Sequence, residues 1–375
     1  MKIFLNIFLL YSLLNSFPCT FQTNIFSQIN TDKNGKNLII SPLSIYQVLS
    51  LLSNGAKGST QSELLLTLGS ITISELNDIN YKILSTISSF SSIDIANAVM
   101  TKFKPLENFC AIAHKYSASL ELLESVEQVN EWCNEKTHGK IKKIIDRLNP
   151  ETIMILLNAV YFKGNWLRPF DKYFNEQMSF YNLGKEEKTV NSMIQIEHFR
   201  YYQNSDLQIV ELPFKEDFMS ALIILPSKQE EINTFIKNKI SQEAYLDNIM
   251  NKLDYAKVQL QMPKFEIKFE EKLNEVIKKL GINKIFNAIE GDLTGLFNDQ
   301  NLFVNQIIHK TYLKVNEDGT EAAAVTMVSI DMGMAMGEPE IVHIMKVDRP
   351  FLFLLKNWQL PAGYDMVFMA KIEEL

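Results

Sequence analysis

Histidine and cysteine, which are common in zinc sites and redox sites, are scarce in this chain: five histidines and three cysteines among 375 residues. They are His114, His138, His198, His309, His343, Cys19, Cys110 and Cys133. Zinc and redox sites are recognised by spacings such as HExxH and CxxC, and neither occurs. The GxSxG turn of hydrolases and the glycine-rich loops that bind phosphates are missing as well. We therefore predict no metal and no cofactor, and an enzymatic activity loses its usual support without being excluded.

A segment rich in small residues near the C-terminus says more about function than the histidines and cysteines do. Residues 316–340 read NEDGTEAAAVTMVSIDMGMAMGEPE. In an extended chain successive side chains point to opposite faces, so alternate residues from Thr320 to Met332 share one face without any charge. Gly319 precedes them and can act as a hinge, because glycine has unusual φ/ψ freedom. The pattern fits a strand able to slip between two others, and it fits a flexible surface loop equally well.

The composition is that of an ordinary soluble globular protein. The chain is 46% hydrophobic and carries a formal charge of −7, which allows a large core. The mild acidic excess gives no support to nucleic acid or an anionic membrane as the main partner. Length alone would favour two domains, but no linker or internal repeat divides the chain.

The N-terminus predicts a secretory signal. In MKIFLNIFLLYSLLNSFP, Lys2 precedes an apolar run that is shorter than the ~20 residues of a membrane span. We expect residues 1–19 to be the signal peptide and the protein to be secreted; a buried N-terminal helix is the alternative. The last residues, KIEEL, resemble a KDEL-type signal, which would instead retain the protein in the secretory pathway.

Helices come first and strands dominate later. Apolar periodicity predicts a helix from Pro42 to Leu52, a break at Asn54–Gly55, and a second helix from about Ser59. Residues 125–145 predict another amphipathic helix, with Gly139 near its end. Strands are predicted within three stretches that are rich in β-forming residues and interrupted by turn residues or proline: residues 208–227, 255–269 and 349–357. The predicted class is α+β.

Several motifs in order resemble serpins, the serine-protease-inhibitor superfamily. EDGTEAAAVT (317–326) resembles the serpin hinge, ISPLSIYQVLSLLSNGAKGST the B-helix region, NEWCNEKTHGKI the F helix, and LNAVYFKGNWLRPF the third central-sheet strand. VELPFK, LPS, MPKF, DRPFLFLLKN and VFMAKI follow in the family's order. The resemblance implies one serpin domain over residues 20–375, with three β-sheets, about nine helices and an exposed reactive-centre loop at about 317–345.

The family's roles carry over to individual positions. Ser41, Ser44, Asn158 and His309 match the shutter, a polar cluster beneath the sheet where strands part to admit the loop. Trp166 matches the aromatic residue of the breach, where insertion starts. The hinge of inhibitory members is matched by Glu317, Gly319, Thr320, Glu321, Ala322, Ala323, Ala324 and Thr326. Val325 is bulkier than usual, although the alternation places it on the outer face.

The resemblance implies a suicide-substrate inhibitor of serine proteases. The protease forms an acyl-enzyme with the loop, and the cleaved loop then enters the central sheet and traps the protease. Counting from the hinge places the scissile region at Met332, Gly333, Met334 and Ala335, with Gly333 before the bond unless the count shifts by one residue. Methionine suits the apolar pocket of chymotrypsin-like or elastase-like targets. The first basic residue after the hinge, Lys346, is too far away for a trypsin-like target.

The expected partner is therefore a serine protease held in a covalent complex by a monomeric inhibitor. Residues 74–90, which correspond to the heparin-binding helix D, contain a single lysine, Lys82, so heparin activation there is not expected. The alternative is a non-inhibitory serpin that acts as a carrier or chaperone. The uncharged inner face of the hinge favours the inhibitor, because a charge buried there would cost several kcal/mol.

Overall fold

The computed structural model describes residues 20–216, 218–242, 244–298, 302–320 and 341–375. Over these residues the chain forms nine α-helices. They are α1 (Thr20–Asn30), α2 (Pro42–Gly55), α3 (Gly58–Thr67), α4 (Ile73–Ile87), α5 (Glu107–Lys115), α6 (Val126–Lys136), α7 (Ile232–Phe235), α8 (Tyr245–Met250) and α9 (Asn274–Lys279). Within the same residues no helix is long and apolar enough to cross a membrane.

A five-stranded sheet contains the positions that matter most for the predicted site. Its strands lie in the order β11 (Phe265–Lys272), β12 (Gln306–Val315), β4 (Met154–Phe162), β2 (Ile93–Thr101) and β3 (Ser119–Leu122). The two central strands, β12 and β4, are parallel and pair directly from Gln306↔Ile155 to Tyr312↔Tyr161. No strand therefore lies between them in this conformation.

A nine-stranded sheet packs behind the first one. Its order is β1 (Leu38–Ile40), β16 (Met366–Ile372), β15 (Phe351–Asn357), β9 (Met219–Pro226), β8 (Leu207–Pro213), β7 (Glu186–Gln203), β10 (Asp254–Pro263) and β14 (Val342–Lys346), with β6 (Glu176–Asn182) paired to β7. A short third sheet joins β5 (Gly164–Asn165) to β13 (Gly319–Thr320). The predicted α+β architecture of three sheets and about nine helices is confirmed over the described residues.

The main core lies between the two large sheets and around α2. Every residue of α2 is buried, so this helix is fixed by packing on all sides. Its start is determined locally: Ser41 caps it by accepting a hydrogen bond from the Ser44 amide, and Pro42 occupies the first turn, where no amide hydrogen is needed. The two predicted helices are confirmed, but α2 continues through Asn54 and Gly55, so the break lies at residues 56–57 and not at Asn54–Gly55.

A second core lies beneath α6 on the outer face of the five-stranded sheet. Val129, Trp132 and Cys133 of α6 pack against Ile155 and Leu157 of β4. The amphipathic helix predicted over residues 125–145 is shorter than expected. It ends at Lys136, because His138 and Gly139 adopt positive φ angles of 50° and 79°. The chain then returns along the sheet, so residues after Gly139 cover the same face without being helical.

Candidate functional site

The predicted shutter residues meet beneath the pairing of β4 and β12. His309 of β12 lies directly opposite Asn158 of β4, and Asn158 lies opposite Asn97 of β2. The start of α2 brings Ser41 and Ser44 to the same place, and all five side chains are buried. The structure thus brings together the four residues predicted from the sequence, and their role as a shutter remains a prediction.

His309 links the sheet to the first turn of α2. Its Nε2 accepts a hydrogen bond from the backbone N–H of Ser41 at 3.0 Å, so in the neutral ring Nδ1 carries the proton and donates it to Oδ1 of Asn158 at 2.5 Å. Burial lowers the pKa of His309 to about 3. Both ring nitrogens are therefore satisfied only in the neutral form.

Asn158 is the centre of the cluster. Its Oδ1 also accepts from the Ser44 hydroxyl at 2.7 Å, and its Nδ2 donates to Oδ1 of Asn97 at 2.5 Å. The Ser44 hydroxyl has a second acceptor within reach, the carbonyl oxygen of Ser41 at 3.0 Å. Because a hydroxyl has a single proton, Ser44 can keep a hydrogen bond even if Asn158 moves away.

Sequence reasoning missed Asn97. The only signal was a polar amide in the middle of the apolar run IDIANAVM, which a surface position would explain equally well. Its contact with Asn158 depends on the register between β2 and β4, and that register is known only from the three-dimensional pairing.

Where β12 ends, Trp166 binds the residues that lead into the predicted hinge. The indole is almost fully buried and stacks on Phe214, with ring centroids 4.3 Å apart and an interplanar angle of 23°. Its Nε1–H donates to the carbonyl of Asn316 at 3.0 Å, and its backbone N–H donates to the carbonyl of Asp318 at 3.0 Å. Trp166 therefore fixes the chain where it leaves β12.

Glu317 forms a buried ionic contact beside Trp166. Its Oε1 accepts from Nζ of Lys264 at 2.8 Å and from the side-chain amide of Asn175. Burial alone would raise the pKa of Glu317, but the hydrogen bonds from Lys264 and Asn175 more than offset it and hold the pKa below the ordinary value. Lys264 and Asn175 were not predicted, because nothing in the sequence indicates contacts 53 and 142 residues away.

The first hinge residues turn back toward the sheet. Asn316 and Gly319 exchange backbone hydrogen bonds, and the Asn316 side chain accepts from the amides of Asp318 and Gly319. Gly319 has a φ of 141°, and a Cβ there would lie 2.1 Å from the carbonyl oxygen of Gly164. Only glycine fits this position.

Thr320 is the last described residue before residues 321–340, and it is fully buried. Gly319 and Thr320 pair antiparallel with Asn165 and Gly164, and the Thr320 hydroxyl accepts from the Gly164 amide at 2.8 Å. The remaining predicted hinge and scissile residues lie outside the described residues: Glu321, Ala322, Ala323, Ala324, Thr326, Met332, Gly333, Met334 and Ala335.

The described residues contain no group of three or more histidine, cysteine, aspartate or glutamate side chains that could hold a metal ion. Cys110 and Cys133 are both free thiols, and burial raises the pKa of Cys133 to about 12. The side chains around β4 and β12 are therefore held by hydrogen bonds and ion pairs. What these contacts can control is how the two strands pair.

Residues 18–373 match the family model described as Serpin (serine protease inhibitor). The chain is 32% identical over 368 residues to the leukocyte elastase inhibitor of Xenopus laevis, covering 91% of this chain and 95% of that protein. It is 32% identical over 361 residues to intracellular coagulation inhibitor 2 of Tachypleus tridentatus, covering 91% and 86%. Human serpin B8 is 29% identical over 355 residues, covering 90% and 94%.

Solved structures share the fold over nearly the whole chain. Native tengpin, a thermophilic serpin, superposes with a TM-score of 0.85 at 27% identity, covering 96% of this chain and 94% of that one. Human thyroxine-binding globulin in complex with thyroxine gives a TM-score of 0.84 at 26% identity, covering 96% and 98%. The same fold thus occurs in a protein named for binding a small molecule.

The prediction that the protein is secreted, or retained in the secretory pathway, is wrong. The similar proteins include serpin B8, leukocyte elastase inhibitors and a coagulation inhibitor named as intracellular, which point away from secretion. The prediction rested on a short apolar run after one lysine. A buried N-terminal helix has the same local pattern, so the pattern alone could not decide between them.

Replacing His309 with glutamine is expected to remove a pH dependence of stability. The unfolded imidazole takes up a proton near pH 6.5, whereas the buried one does so only near pH 3, so the folded state loses stability as the pH falls between these values. Each pH unit in that range lowers the free energy of unfolding by about 1.4 kcal/mol. The wild type should therefore lose about 2–3 kcal/mol of this free energy between pH 7 and pH 4.5, whereas the variant should not. Guanidinium unfolding of the uncleaved protein at both pH values measures this. A constant difference between the two proteins would contradict a buried neutral ring.

The contact between Glu317 and Lys264 is expected to stabilise the start of the hinge. A double-mutant cycle of Glu317→Gln and Lys264→Met should give a coupling energy of about 1–2 kcal/mol in guanidinium unfolding, because the carboxylate is buried. The matched control is the neighbouring pair of Asp318 and Lys172, whose lysine is half exposed. Its cycle, Asp318→Asn with Lys172→Met, should couple by less than about 1 kcal/mol. Equal coupling energies in both cycles would contradict a specific stabilising role of the contact between Glu317 and Lys264.

Proposed function

The chain belongs to the serpin family, and from this premise we propose that it traps a serine protease as a suicide substrate. It is a protease inhibitor rather than an enzyme, as its relatives named as elastase and coagulation inhibitors support. We propose one serpin domain over residues 20–375, acting as a monomer, with the reactive loop at about 317–345. The proposed insertion of the loop is argued from β4, β12 and the first hinge residues.

The observation that carries the proposal is the direction of the first hinge residues. Since β4 and β12 are parallel and the chain leaves the C-terminal end of β12, a strand that returned between them would run antiparallel to both. Gly319 and Thr320 already run antiparallel to β5, which continues β4 after a single residue. The chain has therefore made the turn that insertion requires, and the loop would continue along the path that Thr320 begins.

Insertion would separate β4 from β12 and change the polar cluster below them. Neighbouring strands lie about 4.8 Å apart, so an added strand would move His309 about that distance further from Asn158 and break their hydrogen bond. Ser44 could then donate to the Ser41 carbonyl instead, since that oxygen is already 3.0 Å away. We infer that the cluster has one hydrogen-bonded arrangement for the closed sheet and another for the expanded sheet.

The inner face of the entering segment must be free of charge. Thr320 is the first residue of that face and is fully buried, and the alternation of the following sequence keeps both Glu321 and Asp331 on the other face. This favours an inhibitor over the alternative, a carrier like thyroxine-binding globulin that shares the fold. Met332 to Ala335 form the proposed scissile region, and their apolar character favours a chymotrypsin-like or elastase-like target.

Incubation with chymotrypsin-like, elastase-like and trypsin-like proteases tests the proposed inhibition. We expect an SDS-stable adduct with a protease that prefers apolar residues, and a released C-terminal peptide that starts at Gly333 or Ala335, after a methionine. Active-site-blocked protease is the control, because it cannot form the acyl-enzyme. Rapid cleavage without any adduct would support a non-inhibitory serpin instead.

Thr320→Arg should convert trapping into plain cleavage. In the intact protein the two-residue pairing of Thr320 can open and let the guanidinium reach solvent, whereas insertion would bury it between β4 and β12. That burial costs several kcal/mol and delays insertion until the acyl-enzyme hydrolyses. Thr320→Ser keeps the hydroxyl that accepts from Gly164 and serves as the control. Both variants should be cleaved at similar rates, and gel densitometry gives the ratio of adduct to cleaved inhibitor. An unchanged ratio for the arginine variant would count against insertion as the trapping step.

A further inference from the structure

A basic concavity of about 500 Å³ lies on the outer face of the five-stranded sheet, next to the segment that follows α6. We call its lysines the lysine cluster: Lys140, Lys142, Lys143, Lys268, Lys310 and Lys314. The first three belong to the segment after α6, and the others belong to β11 and β12. The cluster therefore joins two parts of the molecule that the proposed insertion would move relative to each other.

The cluster is a positive region on an acidic protein. The formal charge of the whole chain is −7. Asp146, Glu266 and Glu270 form ion pairs with Lys143, Lys268, Lys310 and Lys314. Two of the contacts, from Glu266 to Lys268 and Lys314, are as long as 4.0 and 3.8 Å, so the local positive charge is only partly compensated.

The floor of the concavity provides no aromatic face for a nucleobase. Tyr312 lies between the lysines but is buried, and the ammonium groups of Lys140 and Lys268 lie 5.8 and 5.7 Å from the centre of its ring. Binding here would therefore depend on charge and not on stacking, which disfavours single-stranded nucleic acid. Lysine ammonium groups act on phosphate as point charges and need no fixed orientation.

The shape of the positive region favours a compact ligand. Asp146, Glu266 and Glu270 lie among and beside the lysines, so a long polymer leaving the concavity would meet carboxylates. We propose that the lysine cluster binds a compact, multiply phosphorylated anion, and that the bound anion holds the segment after α6 against β12.

The second half of this proposal rests on the proposed insertion mechanism. The segment after α6 is tied to that helix by Asn130, whose side chain bonds the amides of Ile144 and Ile145 and the carbonyl of Ile145. Lys310 of β12 reaches across and donates to the carbonyl of Lys143. A strand entering between β4 and β12 would move these two parts about 4.8 Å apart. An anion that bridges them would therefore bind the intact form more tightly and oppose insertion.

Inositol hexakisphosphate is a suitable probe for calorimetric titration of the intact protein. We expect binding that weakens as salt is raised and falls about tenfold in the double variant Lys142→Gln/Lys314→Gln, which removes one lysine from each part. Lys82→Gln/Lys115→Gln, at exposed positions of α4 and α5, is the matched control and should bind like the wild type. Absence of binding, or equal binding by both variants, would overturn the site. Heparin or single-stranded DNA that competes with equal affinity would assign it to a polymer instead.

Titration of the loop-cleaved protein separates the bridging claim from the site itself. We expect affinity at least tenfold lower than in the intact form, together with a smaller ratio of adduct to cleaved inhibitor when the probe is present during protease trapping. Equal affinity for both forms would refute bridging. If the wild type traps no protease at all, the proposed function fails, whereas lysine-dependent binding to the intact protein would leave the anion site standing.

Discussion

The direct parallel pairing of β4 with β12 is the interaction on which the rest of this structure depends. The ladder from Ile155 to Tyr161 closes the sheet, and beneath it His309 and Asn158 join the two strands a second time through their side chains. This second connection requires a neutral imidazole, because the other ring nitrogen must accept from the Ser41 amide. The closed sheet is thus tied to the protonation and position of one buried ring.

The same pairing connects elements that are far apart in the chain. Ser41 is both the cap of α2 and the partner of His309, so the packing of a buried helix and the pairing of two strands are coupled through one residue. At the upper end of the strands, Trp166 and Glu317 hold the turn that brings Thr320 back toward β5. Side chains therefore hold the β4–β12 pair at the middle of its backbone ladder and at the end where the chain leaves β12.

Much of the fold could be predicted from the sequence, because caps, prolines and apolar periodicity act locally; the start of α2 at Pro42 is an example. Ser41, Ser44, Asn158 and His309 could be found through family resemblance, and the structure brings them together. Asn97, Asn175 and Lys264 could not, because their contacts depend on strand register and on distant partners. The secretion prediction failed for the opposite reason: it relied on a local pattern alone, without any contact that could test it.

Trp166 has a consequence for how the molecule can be observed. Of the three tryptophans, Trp132 belongs to α6 and packs on the five-stranded sheet, and Trp358 is partly exposed. Trp166 instead donates through its indole nitrogen to Asn316, where the chain turns toward the predicted hinge. Indole emission is sensitive to hydrogen bonding and to neighbouring rings, and the stack on Phe214 gives this side chain a distinct environment. The protein thus carries an intrinsic fluorophore at the point where, under the proposed insertion mechanism, its central sheet would begin to open.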